Sequence, residues 1–205
     1  MVTNQPVDYY DKLYFNLRSL VGAFHRRRVG AILDAVPFGS KVLDLGCSSG
    51  FVSNLLTVKK CQVMGVDIRP ECVEFAGKES HVKFLVADIR SLQLNETFNV
   101  VICSDVIEHF QKEDRAKVLK VIDKHLQSGG QVILTTPGIL SHVIEPVWKL
   151  WRRFKNPGVV FDDEGTHELV STREVKKALG SSYKQIKSTP ICLGLVYLLV
   201  MQKDH

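Results

Sequence analysis

The sequence predicts an α/β fold: a doubly wound, mostly parallel sheet with helices on both faces. Three observations carry this. Short apolar runs of strand character alternate with segments of helical periodicity, and glycine-bearing turns separate them. Lys41–Gly50, KVLDLGCSSG, passes from an apolar run into such a turn and then into Phe51-Val-Ser-Asn-Leu-Leu, the first turns of a helix. Three strands end in aspartates, Asp44, Asp67 and Asp88, a pattern hard to reconcile with solvated termini.

Composition bounds the reading. A chain of 205 residues is most simply one domain, 1–205, long enough to bury a full core. A net charge of +5 permits a nucleic-acid or anionic-membrane partner without requiring one. The five cysteines are odd in number and form no Cys-x-x-Cys, which argues against a disulfide framework or zinc knuckle and for reduced thiols in a cytosol. The N-terminus shows no signal pattern, and the longest nearly apolar run, Ile191–Met201, is too short to span a bilayer as a helix and contains Gly194. A cytoplasmic protein is expected.

Residues 1–40 read as N-terminal helices. Tyr9, Tyr10, Leu13, Tyr14, Leu17, Leu20, Val21 and Phe24 keep a period of about 3.6, one amphipathic helix. Val29, Ile32, Leu33 and Val36 form a second apolar set that Pro37-Phe-Gly39 stops. His25-Arg-Arg-Arg28, between them, reads as a solvated helix face rather than a phosphate patch, because four residues make a short electrostatic footprint. Lys41–Leu45 is a short buried strand that Gly46 breaks. The turn after it lets backbone approach a ligand, at the carboxyl end of the first strand, where such folds bind.

Cys61–Asp67 is a second strand. Asp67 falls 21 positions after Gly46, the span of one βαβ half-turn, so its carboxylate returns to the crevice and can accept both hydroxyls of a ribose. An exposed strand-end acid is the plainer alternative. Pro70 then suits the first position of a helix. His81–Ala87 alternates as a third strand, and its terminal Asp88 points into the same crevice. Phe98–Ser104 is a central apolar strand, flanked on both sides. Asp114–Leu126 is a helix closed by Gln127-Ser-Gly-Gly130, and Gln131–Thr135 is the fifth strand. In Ser141–Lys155 the residues Ile144, Val147, Trp148, Trp151 and Phe154 fall at helical spacing beside Lys149, Arg152 and Arg153. This reads as a lid over the site, or as a lid that also touches a membrane. Asp162–Gly165 is a loop, and Thr172–Leu179 a helix capped by Ser171. Tyr183–Ser188 and Val196–Gln202 are strands parted by a loop around Pro190.

The turn resembles the glycine-rich first motif of the class I S-adenosylmethionine-dependent methyltransferases, Asp/Glu-x-Gly-x-Gly-x-Gly. Asp44, Gly46 and Gly50 match, and Ser48 stands where the middle glycine is usual. The dinucleotide fingerprint Gly-x-Gly-x-x-Gly does not fit, which counts against a short dehydrogenase. The resemblance covers roughly residues 30–203. It implies a Rossmann-like seven-stranded sheet with a C-terminal antiparallel hairpin and an N-terminal helix able to close over the cofactor. The cofactor implied is S-adenosyl-L-methionine. The implied contacts are Asp44, Gly46, Cys47, Ser48 and Gly50 at the turn, Asp67 and Ile68 at the ribose, Asp88 and the Ile89 backbone at the adenine, and Ser104 and Asp105 after the fourth strand.

Asp105-x-x-Glu108-His109 carries the next chemistry. One helical turn puts i and i+3 on one face with i+4 beside them, an oxygen-rich site apt for Mg2+ or Mn2+. The alternative is that Glu108 and His109 line the methyl pocket without metal. Ubiquinone-biosynthesis O-methyltransferases have Glu-x-x-Glu-His here and a later Gly-Thr-His-Asp, which Gly165-Thr-His-Glu168 resembles. Small-RNA 3′-terminal 2′-O-methyltransferases likewise use a downstream histidine, for which His167 can stand in, and His142 less well. The expected function is O-methylation of a small hydrophobic or phenolic acceptor, with Glu108, His109 and His167 as the catalytic set. Two rivals are an RNA 3′-end methyltransferase and a non-catalytic cofactor-binding regulatory subunit.

Overall fold

The computed structural model describes residues 6–78, 80–138, 140, 141, 143 and 170–205. The predicted helix over 141–155 lies outside the described residues, Ser141 and Val143 excepted, as do the loop 162–165, His142 and His167.

The apolar runs become seven strands of one sheet: β1 Lys41–Leu45, β2 Gln62–Asp67, β3 Lys83–Val86, β4 Phe98–Ser104, β5 Leu126–Pro137, β6 Tyr183–Ile191 and β7 Val196–Lys203. Their order is β3-β2-β1-β4-β5-β7-β6. The first five run parallel, and β7 is antiparallel to both β5 and β6. This is the Rossmann-like arrangement with a closing hairpin. The strand order reverses between β1 and β4, so the crevice at their carboxyl ends is the ligand position for this topology.

Alternation along the strands builds two cores. Val42, Val100, Ile102 and Ile133 pack on one face with Ile32 of α2 (Leu20–Ala35), Val36 just after it, and Leu56 of α3 (Phe51–Thr57). Leu43, Leu45, Val101 and Cys103 pack on the other with Val118 and Ile122 of α5 (Lys112–His125) and Val175 and Leu179 of α6 (Thr172–Leu179). Each fully buried side chain of this size contributes about 1.5–3 kcal/mol. Helix α4 (Pro70–Gly77) opens on its proline as expected, and the Ser171 hydroxyl accepts from Glu174 N at 3.1 Å to cap α6. All five cysteines are free. Among the described residues no helix is long and apolar enough to cross a membrane.

The structure corrects four expectations. The periodic segment Tyr9–Phe24 is not one helix: α1 covers Tyr9–Phe15, and α2 begins afresh at Leu20. The Ser19 hydroxyl accepts from Gly22 N and starts the new helix, while Arg26 Nη1 donates to Tyr14 O (2.8 Å) and Asn16 O (3.0 Å), using carbonyls at the end of the first. His25–Arg28 lies inside α2 rather than between helices, and His25 and Arg28 are buried, not solvated. Strand β5 starts directly after α5 and takes in Gln127–Gly130, with a register shift opposite Phe98 and Val100 absorbing the extra residues. Pro190 lies within β6, where an outermost strand tolerates a residue without N–H.

Candidate functional site

The crevice begins at the glycine turn. Gly46 has φ +77°, and a Cβ there would lie 2.3 Å from Val106 Cγ2, so the turn packs directly on the chain leaving β4. Gly50 has φ +72°, and its Cβ would lie 2.6 Å from Phe84 Cζ. Between them Ser48 also adopts a left-handed conformation, φ +48°. The chain thus makes the glycine-type turn with a serine, at a cost of about 1–2 kcal/mol. In return Ser48 N donates to Asp67 Oδ2 at 2.8 Å, while Asp67 Oδ1 accepts from Arg69 N at 2.9 Å. The turn after β1 and the acid ending β2 are one hydrogen-bonded unit. Each carboxylate oxygen keeps a further lone pair, so the pair remains able to accept two hydroxyls.

Asp44 faces elsewhere. It is buried, and its Oδ2 accepts from the Ser53 hydroxyl at 2.6 Å, which ties β1 to α3. Burial, reinforced by the nearby Asp67 charge, pushes its carboxyl up to about 6. Cys47 is buried beside it, and burial drives its thiol far upward, so it packs rather than reacts. Helix α1 lies across the turn: the Ser49 hydroxyl donates to Asp11 Oδ1 at 2.6 Å, and the Tyr14 ring sits 4.7 Å from that of Phe51.

Asp88 follows β3 and is clamped. Arg90 donates to it from the backbone N (2.8 Å), Nε (3.0 Å) and Nη2 (2.6 Å), and reaches Asp114 at the start of α5 with Nη1 at 2.8 Å. The Arg90 guanidinium beside it holds the Asp88 carboxyl below the usual carboxylate range, as an ionised acceptor. Ile68 is exposed, whereas the Ile89 side chain is buried in the core, which leaves its backbone as the part able to meet a ligand.

The chain leaving β4 supplies the opposite wall. Asp105 has φ +52°. The Thr135 hydroxyl donates to Asp105 Oδ1 at 2.6 Å, so the 2.8 Å contact between the Ser104 and Thr135 hydroxyls has Ser104 as donor. Asp105 Oδ2 pairs with Arg28 of α2. Residues Ile107–His109 form a 3-10 turn that leaves Asp105 outside it. Glu108 points inward, 2% exposed, and His109 is exposed. Burial pushes the Glu108 carboxyl from 4.5 up to about 7, against the opposing pull of Arg28 and Arg115, and its Oε2 has no hydrogen-bond partner among the described residues. Burial and the Arg28 charge likewise press His25 down to about 3.

The predicted metal set, Asp105, Glu108 and His109, is therefore not assembled. An α-helical turn would have aligned them; the 3-10 turn splits Glu108 from His109, and Arg28 and Thr135 engage both Asp105 oxygens. No three His, Cys, Asp or Glu side chains among the described residues are grouped to hold a metal ion. His167 lies outside them.

Sequence reasoning missed Arg28, Thr135 and Arg90. Helical phase gave a signal for the first: His25, Arg28, Val29, Ile32 and Val36 share one stripe, and it is the buried one. Together the crevice offers an acceptor pair for vicinal hydroxyls, an ionised acceptor for an amine, and a partly buried cation–anion pair suited to a zwitterion.

Residues 42–130 match a family model described as a methyltransferase domain, a span holding the turn, Asp67, Asp88 and Asp105–His109. The ubiquinone biosynthesis O-methyltransferase of Idiomarina loihiensis is 29% identical over 106 residues, 48% of this chain and 43% of that protein. The protein of the same name from Xanthomonas oryzae pv. oryzae is 32% identical over 115 residues, 53% of this chain and 46% of that protein. The chain spans less than half the length of these curated relatives. Among solved structures, the magnesium protoporphyrin IX methyltransferase of Synechocystis with bound SAH gives a TM-score of 0.71 at 19% identity, over 96% of this chain and 94% of that one. That last likeness is one of fold.

Proposed function

We propose that this chain, a member of the class I S-adenosylmethionine-dependent methyltransferases, binds S-adenosylmethionine at the carboxyl ends of β1, β2 and β3 and methylates an oxygen of a small, hydrophobic or phenolic acceptor. The observation that carries the cofactor half is the bridge from Ser48 N to Asp67, which fixes the glycine turn and the acid ending β2 as one unit. Asp67 receives the ribose hydroxyls, and Asp88, held ionised by Arg90, accepts from the adenine amino group. Arg28 and Asp105 answer the carboxylate and ammonium of the methionine part. The oxygen assignment is supported by the names of the matched O-methyltransferases.

The bound cofactor supplies an electrophilic methyl group on a sulfonium. The residues around it align the acceptor in line with the carbon–sulfur bond and keep water away, and orientation is the main source of acceleration. With that methyl group in place, the acceptor hydroxyl would have to give up its proton as it is methylated. His109, exposed at the end of its turn, takes that proton. Glu108 lies beneath and sets the local charge.

The test is calorimetric titration of S-adenosylmethionine and S-adenosylhomocysteine, with and without Mg2+ or Mn2+, followed by turnover on catechols and phenols. Micromolar binding that Asp67→Ala removes, together with methylation of a hydroxyl, is the expected result. Absence of binding overturns the cofactor site. Binding without turnover on any acceptor is the behaviour of a regulatory subunit and overturns the catalytic half.

A further inference from the structure

We propose that the corner joining α1 to α2 docks on an anionic lipid surface. Phe15, Leu17 and Leu20 are 70%, 78% and 89% exposed. Single exposed apolar side chains are ordinary, but three large ones within one corner mark an interaction surface. The corner is fixed rather than ragged. Arg26 Nη1 holds Tyr14 O and Asn16 O, the Ser19 hydroxyl caps α2, and a Cβ on Gly22 would lie only 2.4 Å from Asn16 O. The backbone therefore presents these side chains outward as a rigid wedge.

Charge identifies the occupant. Residues 12–33 contain no Asp or Glu and carry Lys12, Arg18, Arg26, Arg27 and Arg28. Lys12 pairs with Asp8 and Arg28 with Asp105, while Arg18 and Arg27 are exposed beside the wedge. An apolar tip that carries Arg18, with Arg27 two turns along α2 from Leu20 and the α1 acids Asp8 and Asp11 engaged by Lys12 and Ser49, complements the boundary between acyl chains and anionic headgroups. A second copy of the chain would bring the same arginines against each other, so self-association is the poorer match. The wedge also adjoins the crevice: Tyr14 and Phe15 sit with ring centroids 4.7 and 5.9 Å from Phe51, the first residue of α3 after the glycine turn. A membrane-dissolved molecule would thus be delivered near the site. The surface itself stands apart from the methyl-transfer reading and is tested without it.

The experiment is co-sedimentation of the full chain with vesicles of phosphatidylcholine alone or mixed with phosphatidylglycerol. The wild type is expected to pellet with the mixed vesicles only, and less at high salt, as screening requires. Leu17→Glu with Leu20→Glu should lower the partition coefficient more than tenfold. Arg18→Gln with Arg27→Gln should lower it roughly 25-fold, about fivefold per charge. All four positions are surface ones, and an unchanged melting temperature certifies each variant; the arginine pair serves if the leucine pair fails to fold. Wild type that ignores the anionic vesicles overturns the proposal, as do variants that bind like wild type. A dimer in light scattering that Leu17→Glu with Leu20→Glu converts to monomer would assign the corner to a second copy and overturn it too.

Discussion

The two walls of the crevice are made of different material. The β1–β2 wall is backbone: left-handed residues, main-chain N–H groups, and one carboxylate held by two of them. The wall after β4 is side chains: an arginine from α2, a threonine from β5, an aspartate paired with both, and a buried glutamate with an oxygen that none of the described residues bonds. The first wall takes its hydrogen bonds from within one βαβ unit. The second needs α2, β4 and β5 to be in place together. Hydrogen-bond geometry in the first wall is thus local, whereas charge in the second depends on the tertiary fold.

Breaking the backbone wall should have the largest effect. Asp67→Ala removes the acceptor for two hydroxyls and is expected to weaken S-adenosylhomocysteine at least about hundredfold by calorimetry, and to lower the melting temperature because Ser48 N and Arg69 N lose their acceptor. Breaking the other wall should act on stability first. Arg28→Met leaves Asp105 without its cation and is expected to cost about 2 kcal/mol in denaturant unfolding. Adding Asp105→Asn should restore most of it, and a strictly additive double mutant would show that the pair contributes nothing.

The buried glutamate sharpens the contrast through pH. A carboxyl raised to about 7 in the folded chain favours folding fully below its unfolded value near 4.5, and that contribution is lost as pH rises through 7. Glu108→Gln should therefore match wild type at pH 4 and exceed it at pH 8, by on the order of 2 kcal/mol. Equal melting curves at both pH values would place the titration elsewhere. The smallest effect belongs to the turn. Ser48→Gly relieves a left-handed serine, and is expected to stabilise by about 0.5–1 kcal/mol with cofactor affinity retained. A loss of affinity would show that the serine side chain, not only its N–H, serves the site.

The same division explains what was legible in the sequence. Strand β1, the break at Gly46, Asp67 at the end of β2 and the Pro70 helix start follow from local pattern, and the structure has them where they were expected. Helix α1 was misread because the spacing of Tyr9 to Phe24 stays periodic across the break, and only the Ser19 cap and the reach of Arg26 reveal it. Arg28 looked solvated because a run of three arginines hides the phase of one. The site after β4 was misjudged for a geometric reason: i, i+3 spacing aligns side chains on an α-helix, but Asp105 stands outside the tighter turn at Ile107–His109.

The sheet order has a kinetic consequence. Strand β1 pairs with its neighbour β2 early in the chain, but its other partner, β4, arrives only after β3 has been made. Gly46 meets Val106 across that seam. Loop-closure entropy makes such a joint one of the later contacts to form. A ligand seated across it grips structure that most of the transition state lacks. It should slow unfolding while leaving refolding at its own pace, so the occupied crevice acts as a latch on the finished molecule.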